Sequence, residues 1–484
     1  MFIITLDEKS AQPKYKQIIS QVVEKINNGV LMAGDRLPST RNLSQMLGVH
    51  KSTVALAYQE LWSLGYIDLS PGACAVVRSR KKLIVKSPLE GKGLIEWSKI
   101  SSIENNFDKI QSMDGNIIDF STMNMENSMV PIESFRSSLN EIIKKQGNDL
   151  FKYGSTMGYN PLREYVAKHL ESHGISVYPE EIMITNGTQH AIDLILRLAA
   201  APGKSIVIEA PTYKEILPLL DYYKYKPVEI PMSPTGMDLD ILEEKIITEK
   251  PSLIYTMPNF QNPTGITTIQ AHRERLIGIS EKNGIPIIED GFQEEMKYFG
   301  KTVLPIKSMD KNKTVIYCST FSKVLFPGVR VGWIAADREL ILRLASLRYF
   351  SEIAPNMILQ AGLYNFCTKG YYNQHLAKLH RTYRKRMRTA LDSLNKYVDK
   401  NLADWLEPSG GYLIWLKLRI IKKYPPNEYF ESFGVVVSMG RRYFYSSNDG
   451  IYIRLSISAL DELEIEEGIK RLGRAVDKLI MNND

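Results

Sequence analysis

Lys323 is the residue from which a chemistry can be built. It stands in the stretch STFSKVLFPGVRVGW, residues 319–333, which reads as a strand end, a lysine, a Pro-Gly turn and a second apolar strand carrying one arginine. Small hydroxyl residues (Ser319, Thr320, Ser322) surround it, and Arg330 follows seven residues later, after Pro327 and Gly328. A lysine in an apolar, hydroxyl-lined setting can lose its proton and attack a carbonyl. A guanidinium beside it offers a planar fork matched to phosphate. An aldehyde and a phosphate on one ring describe pyridoxal 5′-phosphate. A lysine and an arginine on neighbouring strands also serve structure alone, so this segment leaves both readings open.

Further groups extend the pattern. Asp290 ends the apolar strand IPIIED, 33 residues before Lys323. A carboxylate there can pair with a protonated pyridine nitrogen and keep the ring an electron sink. Asn262 lies in NPTG, 28 residues before Asp290, at the end of the strand SLIYTMP. Its amide can donate to the ring's phenolic oxygen. Gly187, Thr188 and Gln189 open the apolar helix HAIDLILRLAA after the strand EIMIT, and a glycine turn entering a helix presents free N–H groups to phosphate. Tyr213, in APTY after the strand SIVIE, can stack on the ring. Each piece has a plainer reading: a turn cap for Asp290, a turn by composition for NPTG, core packing for Tyr213. Five such pieces at strand ends, in this order, are hard to collect by chance.

These groups need a scaffold. EIMIT, SIVIE, SLIYTMP, IPIIED, VIYCST and VGWIAA alternate in part with helical segments, which predicts an α/β layer with a mainly parallel sheet. The chemical residues fall at strand C-terminal ends or the turns after them, where ligands bind in such sheets. Two later strands follow, PSGGYLIWLKL and IYIRLSIS. In the second, Ile451, Ile453, Leu455 and Ile457 share one face, and Arg454 interrupts the other, so it needs a partner. Between the two groups of strands, residues 371–400 read as one long helix with Lys378, Arg381, Arg384, Lys385, Arg386 and Arg388 crowding its middle. A solvated basic face is the default for such a run; contact with DNA is the other reading.

The first 78 residues are of a different kind. Tyr15, Ile18, Ile19, Val22, Val23 and Ile26 recur at helical spacing. Ser39 or Thr40 caps a short helix over 41–47 with Leu43, Met46 and Leu47 inward; Gly48 turns the chain; a helix over 50–64 follows, with Val54, Tyr58, Leu61 and Trp62 inward. A hairpin at 66–69 and 75–78, turning at Pro71-Gly72, completes a winged helix-turn-helix. His50, Lys51, Ser52 and Thr53 make the first turn of the second helix, the place where a recognition helix meets base edges and phosphates. Polar residues at a helix start also simply cap it.

The N-terminal stretch LPSTRNLSQMLGVHKSTVALAYQELWSLGY resembles the GntR-type winged helix. That resemblance implies DNA contacts from Arg41, Lys51, Ser52, Thr53 and wing residue Gly72, with His50 a weaker candidate. The family often has arginine where this chain has Lys51; lysine is a point charge, not a bidentate fork for guanine. Over residues 117–460, NPTG, the strand-end Asp290 and the lysine with arginine at plus seven resemble the fold-type I aminotransferases. This implies a cofactor set of Gly187, Thr188, Gln189, Tyr213, Asn262, Asp290, Thr320, Lys323 and Arg330, with Lys323 as the catalytic lysine. It also implies that Tyr153, in KYGSTMGYNPL, reaches the phosphate of a neighbouring subunit in a homodimer, and that Arg454 forks onto a carboxylate of the substrate or effector. Two features depart from the enzyme pattern. Phe292 and Gln293 stand where a tyrosine usually follows the aspartate, and MNMENS, residues 123–128, lacks the glycine that lets substrate approach.

A GntR-type winged helix (1–78), a linker (79–116, basic at its start, with a short helix read around 94–100) and an aminotransferase-like domain (117–484) together resemble the MocR/GabR-type regulators. The implied protein is a cytoplasmic, pyridoxal-phosphate-binding regulator of double-stranded operator DNA, answering to a small amino compound or to the cofactor itself. An active aminotransferase, and a DNA-binding repressor with an inert second domain, are the alternatives; the departures lean away from full turnover. Composition agrees. With 484 residues, 44% apolar and 24% charged, the chain has material for two or three domains and a large core. Cys74, Cys318 and Cys367 form no CxxC pair, which speaks against a disulfide framework or zinc ribbon. His169 and His173 lack an HExxH context and read as surface histidines, so no metal is expected. No leader or long apolar run points to a membrane. The net charge of +7 is compatible with nucleic acid without demanding it.

Overall fold

The computed structural model describes residues 3–7, 10, 12–70, 74–78, 117–201, 203–419, 424–446 and 450–481. Gly72, the linker 79–116 and the helix read around 94–100 lie outside the described residues. The chain divides into two compact units, Met1–Ile110 and Gln111–Asp484.

In the first unit, α1 (Lys14–Asn27), α2 (Thr40–Leu47) and α3 (Lys51–Ser63) precede a hairpin of β1 (Ile67–Asp68) and β2 (Val76–Val77), paired antiparallel with Ile67 opposite Val77. Ser39, not Thr40, caps α2: its hydroxyl accepts the Asn42 N–H at 3.2 Å. Gly48 takes the left-handed conformation (φ 62°) that ends α2, a position where a side chain is strained. Ile18, Val22, Leu43, Val54, Ala57, Tyr58, Leu61, Ile67 and Val77 form the core. Two residues expected inward are not. Met46 is 65% exposed and Trp62 51% exposed. The row Val54, Ala57, Tyr58, Leu61 already completes the buried stripe of α3, which leaves Trp62 on its rim. The two turns of α2 bury only Leu43 among the expected apolar residues and half-bury Leu47. Tyr58 ties the helices together by donating to the Pro38 carbonyl at 2.8 Å.

The second unit opens with β3 (Ile118–Asp119), followed by β4 (Ile182–Thr185), β5 (Ser205–Ala210), β6 (Lys226–Ser233), β7 (Gly236–Met237), β8 (Leu253–Thr256), β9 (Ile287–Asp290), β10 (Val315–Thr320) and β11 (Gly332–Ala335). From β4 onward these build one eight-stranded sheet in the order β4-β11-β10-β9-β8-β5-β6-β7. Strands β10, β9, β8, β5 and β6 run parallel; β11 is antiparallel to both its neighbours, as is β7 to β6. Adjacent residues of the central strands fall into opposite cores: Ile208, Tyr255 and Ile288 on one face, Val207, Ile254 and Ile287 on the other. Helices cover both faces, which is why these strands read as unbroken apolar runs.

A smaller antiparallel sheet of β12 (Ala403–Trp405), β13 (Leu413–Leu418), β15 (Ser438–Met439) and β16 (Ile451–Ser456) follows, in the order β12-β13-β16-β15, while β14 (Val435–Val436) pairs with β3. Arg454 of β16 lies between Trp415 of β13 and Ser438 of β15. The long helix runs Tyr371–Tyr397. One of its basic residues is not on a solvated face: Arg386 is 3% exposed and paired with Glu126, because it falls on the same row as Tyr383 and Met387. No helix among the described residues is long and apolar enough to cross a membrane.

Candidate functional site

The sheet ends gather most of the expected residues into one region of the second unit. Asp290, the last residue of β9, is 2% exposed; its Oδ2 accepts from the Tyr255 hydroxyl at 2.9 Å and its Oδ1 from the Phe292 N–H at 3.2 Å. Burial pushes its carboxyl up to about 7 despite those two donors. A positive group brought to this carboxylate relieves that cost, and a pyridinium N–H is such a group. Tyr255 was not singled out from sequence. It pairs with Ile288 in the parallel register, two residues before Asp290 and so on the same face.

Lys323 follows β10 and is half-buried. Burial, with the Arg454 and Arg330 charges, pulls its amine down to about 8. The amine is therefore easily neutralised, as a nucleophile must be. Its backbone is fixed by Tyr412, whose hydroxyl donates to the Lys323 carbonyl at 2.9 Å. Among the neighbouring hydroxyls, that of Thr320 is committed to the backbone: it donates to the Val331 carbonyl at 2.9 Å and accepts the Ser322 N–H at 3.0 Å. The hydroxyl left open is that of Ser322, which is buried without a partner among the described residues.

Gly187 (φ 86°) precedes the helix Thr188–Ala199, whose first turn has no side-chain cap. Arg330 adopts the left-handed region (φ 45°) and donates from Nη2 to the Asn186 carbonyl at 2.7 Å. A Cβ on Gly187 would sit 3.0 Å from that nitrogen, so the fork and the free helix N–H groups share one seat only because residue 187 is glycine. A cavity of about 670 Å³ opens here, lined by Asn186, Gln189, Arg330, Asn356 and Gln360. Gln189 donates to the Glu215 carbonyl at 2.9 Å, while its Oε1 is buried without a partner among the described residues. Tyr213 is half-buried and its hydroxyl is pushed up by burial.

Arg454 is 4% exposed, and its partners are neutral: the Ser121 carbonyl, Asn262 Oδ1 at 3.3 Å and Met123 Sδ at 3.4 Å. Its guanidinium lies 5.4 Å from the Tyr443 ring centre, and its Nε has no partner among the described residues. Burial lowers its pKa, so the fold bears the cost of a charge that an incoming carboxylate would neutralise. Among the described residues Asn262 Nδ2 meets only the Met123 thioether, at 3.8 Å, a weak acceptor. Met123, from the glycine-free run MNMENS, thus lies between Asn262 and Arg454.

Some expectations are placed elsewhere. Tyr153 is 86% exposed, and its hydroxyl has no partner among the described residues. Gln293 is fully buried; its Oε1 accepts the Tyr412 N–H at 3.2 Å, and its amide nitrogen has no partner among the described residues. His169 and His173 are not surface residues: their side chains are 12% and 15% exposed and converge on Glu295. In the first unit Arg41, Lys51 and Ser52 are exposed and Thr53 half-buried. His50 caps α3, with Nδ1 3.3 Å from the Ser52 N–H and 2.7 Å from its hydroxyl. Gly72 lies outside the described residues.

A winged helix and a fold-type I site on one chain define a class before any comparison is made, and comparison with known proteins narrows it. The chain belongs to the family Aminotransferase class I and II, matched over residues 116–472, and residues 14–77 match the bacterial regulatory proteins of the gntR family, the MocR-type arrangement. It is 30% identical to the uncharacterized HTH-type transcriptional regulator YisV of Bacillus subtilis, over 98% of each chain. It is 34% identical to aromatic-amino-acid aminotransferase 1 of Thermococcus litoralis, over 72% of this chain and 84% of that one. The α-aminoadipate aminotransferase LysN of Thermus thermophilus superposes with a TM-score of 0.74 at 27% identity, over 80% of this chain and all of that one.

The residues present fit pyridoxal 5′-phosphate, the cofactor of this family. A glycine seat, an open serine hydroxyl, a buried carboxylate lacking a cation and a lysine of lowered pKa each lack what that one molecule offers.

Proposed function

We propose that this protein is a pyridoxal-phosphate-dependent, DNA-binding transcriptional regulator that senses a small amino compound, or the cofactor itself, through its aminotransferase-like unit. In this reading residues 1–78 bind operator DNA, 79–116 link, and 117–484 bind cofactor and effector in the cytoplasm. When bound, the cofactor supplies an aldehyde for amines and an electron sink. Lys323 offers the neutral amine, Asp290 receives the ring N–H, and Asn262 donates to the ring oxygen. Tyr213 covers the ring. Gly187, Thr188, Gln189, Ser322 and Arg330 cradle the phosphate, with Thr320 shaping the turn. Arg454 takes the effector's carboxylate after displacing Met123. Effector binding then biases the arrangement that holds DNA, by as much as its affinities for the two arrangements differ. The exposed Tyr153 supports a homodimer in which it reaches the partner's phosphate.

The observation that carries this reading is Arg454: a buried guanidinium with neutral partners, on a chain that also holds a winged helix. An absorbance titration of the purified protein with amino compounds, beside a DNA-shift assay on its own upstream region, tests it. A compound should change both the visible band and DNA retention. A spectral change with DNA retention untouched across the panel overturns sensing.

Active transamination is a second reading, favoured by the retained Asp290, Lys323, Arg330 and Arg454. Phe292 and Met123 weigh against it, since neither can tune the ring oxygen or leave room beside Arg454. Many turnovers with an amino acid and a 2-oxo acid would establish it.

A further inference from the structure

We propose that His169, His173 and Glu295 form a binding site for a divalent first-row transition-metal ion of the Zn²⁺ type, separate from the cofactor site. His169 lies in the last turn of the helix Asn160–Glu171 and His173 in the turn that follows; Glu295 comes from the segment after β9, five residues past Asp290. The Nε2 atoms of the two imidazoles lie 2.7 Å and 3.3 Å from the same carboxylate oxygen, Glu295 Oε1, and all three donor atoms fall within 4.8 Å of one another. Around a tetrahedral ion with bonds of about 2.0–2.1 Å, neighbouring donors are about 3.3 Å apart. One nitrogen–oxygen spacing already has that value, and the other needs to open by about 0.6 Å.

One imidazolium is enough to neutralise Glu295. A second imidazole on the same oxygen adds desolvation, with Glu294 the other carboxylate acting on His173, whereas a metal ion uses all three donors. The surroundings hold them in place. The His169 ring stacks on Tyr165 with centroids 6.2 Å apart and lies edge-on to Trp333 and Tyr372. The far nitrogen of His173 faces the Ser172 hydroxyl at 3.2 Å and the His169 carbonyl at 3.4 Å, the kind of outer partner that orients a ligating imidazole. The Glu295 carbonyl is bonded to His380 Nε2 at 2.5 Å. Side-chain exposures of 12%, 15% and 19% leave room for water as a fourth ligand. Two imidazoles and one carboxylate select Zn²⁺, Co²⁺, Ni²⁺ or Cu²⁺ over Mg²⁺. Binding releases to solvent any proton shared between the imidazoles and the carboxylate. The bound ion clamps residues 169–173 to the segment following Asp290.

The test is equilibrium dialysis of chelator-treated full-length protein against Zn²⁺ with Mg²⁺ in excess, with elemental analysis of metal per chain and thermal midpoints measured in parallel. Wild type should retain about one Zn²⁺ per chain, the count of a single three-ligand site, and melt at higher temperature with Zn²⁺ than without. His173→Gln and Glu295→Gln should lose both effects while keeping the cofactor's visible band, which reports that they fold. Equal Zn²⁺ uptake by wild type and both variants overturns the site, as does no uptake by wild type or displacement of Zn²⁺ by Mg²⁺.

Discussion

Lys51 and Lys323 are both lysines expected to meet a phosphate-bearing ligand, yet the fold holds them in opposite ways. Lys51 is exposed at the start of α3, beside exposed Ser52, and water already serves its charge. Lys323 is half-buried near buried Arg454 and exposed Arg330, and burial with those two charges pulls its amine down to about 8. The contrast extends to the neighbours. At the starts of α2 and α3, Ser39 and His50 are satisfied as caps. Around Lys323, atoms of Ser322, Gln189 and Arg454 are buried without partners among the described residues, and Asp290 holds its proton up to about 7. A surface that meets DNA trades water and counterions for phosphates and needs no internal tension. A site that must capture one small molecule is built from groups the fold leaves incomplete, so the ligand's arrival relieves the cost.

Breaking the incomplete site should have the largest effect. Lys323→Ala removes the amine and should abolish the visible band of the cofactor-loaded protein and its effector response. DNA binding by the first unit should persist. A variant keeping both band and response would remove Lys323 from its role.

Asp290→Asn should come next, and its two effects should have opposite signs. Cofactor affinity should fall by about 3–5 kcal/mol, the cost of removing one partner from a buried ion pair. The cofactor-free protein should gain, because the amide keeps the shape without the buried charge. Asp290 has a folded pKa near 7, raised above the ordinary 3.8, so its favourable contribution is complete below 3.8 and is lost as pH rises through 7. Cofactor-free wild type should therefore lose thermal stability across that interval, and Asp290→Asn should lose less. Parallel melting curves against pH would show that this carboxyl is not strained.

Arg454→Met sharpens the contrast from the effector side. Affinity for carboxylate-bearing amino compounds should fall by about 2–5 kcal/mol, the range for truncating one partner of a buried charge pair. The variant should also change the pH profile of cofactor capture. Capture needs neutral Lys323, so its rate should rise with pH through about 8 in wild type. Without the Arg454 charge the amine is easier to protonate, and the midpoint should move up. Stopped-flow absorbance at several pH values measures both; an unmoved midpoint would mean that Arg454 does not act on Lys323.

These contrasts also explain what could be read in advance. Asp290 and Lys323 were legible because one ends a strand and the other follows one, and strand ends are marked by local composition; Arg330, read as part of the second strand, lies in the turn just before it. The winged helix was legible because capping, the Gly48 turn and the row Val54, Tyr58, Leu61 are local. What depended on register was not. Tyr255 faces Asp290 only because β8 and β9 pair with Tyr255 opposite Ile288. Met123 meets Arg454 across 331 residues of chain. Glu295 was invisible as a partner of His169 and His173, which read as surface histidines without it. Met46 and Trp62 were misplaced because apolar spacing marks a face without saying how far its rim is covered.

The smallest expected effect lies on the DNA side, and it decides whether the contrast is real. Lys51→Ala should leave the fold of the first unit intact, because the residue is exposed and contributes nothing to the core of Leu43, Val54 and Leu61. If Lys51 meets a phosphate, operator binding should weaken, and the slope of log affinity against log salt should shrink by about 0.9, the counterion released per phosphate contact on duplex DNA. If it meets a base edge instead, affinity should fall for the preferred sequence and little for unrelated DNA. Ser52→Ala, which leaves the charge in place, should keep the wild-type slope. A Lys51→Ala protein with unchanged affinity and slope would mean that the exposed turn of α3 is only a helix start, and the comparison with Lys323 would then rest on the cofactor site alone.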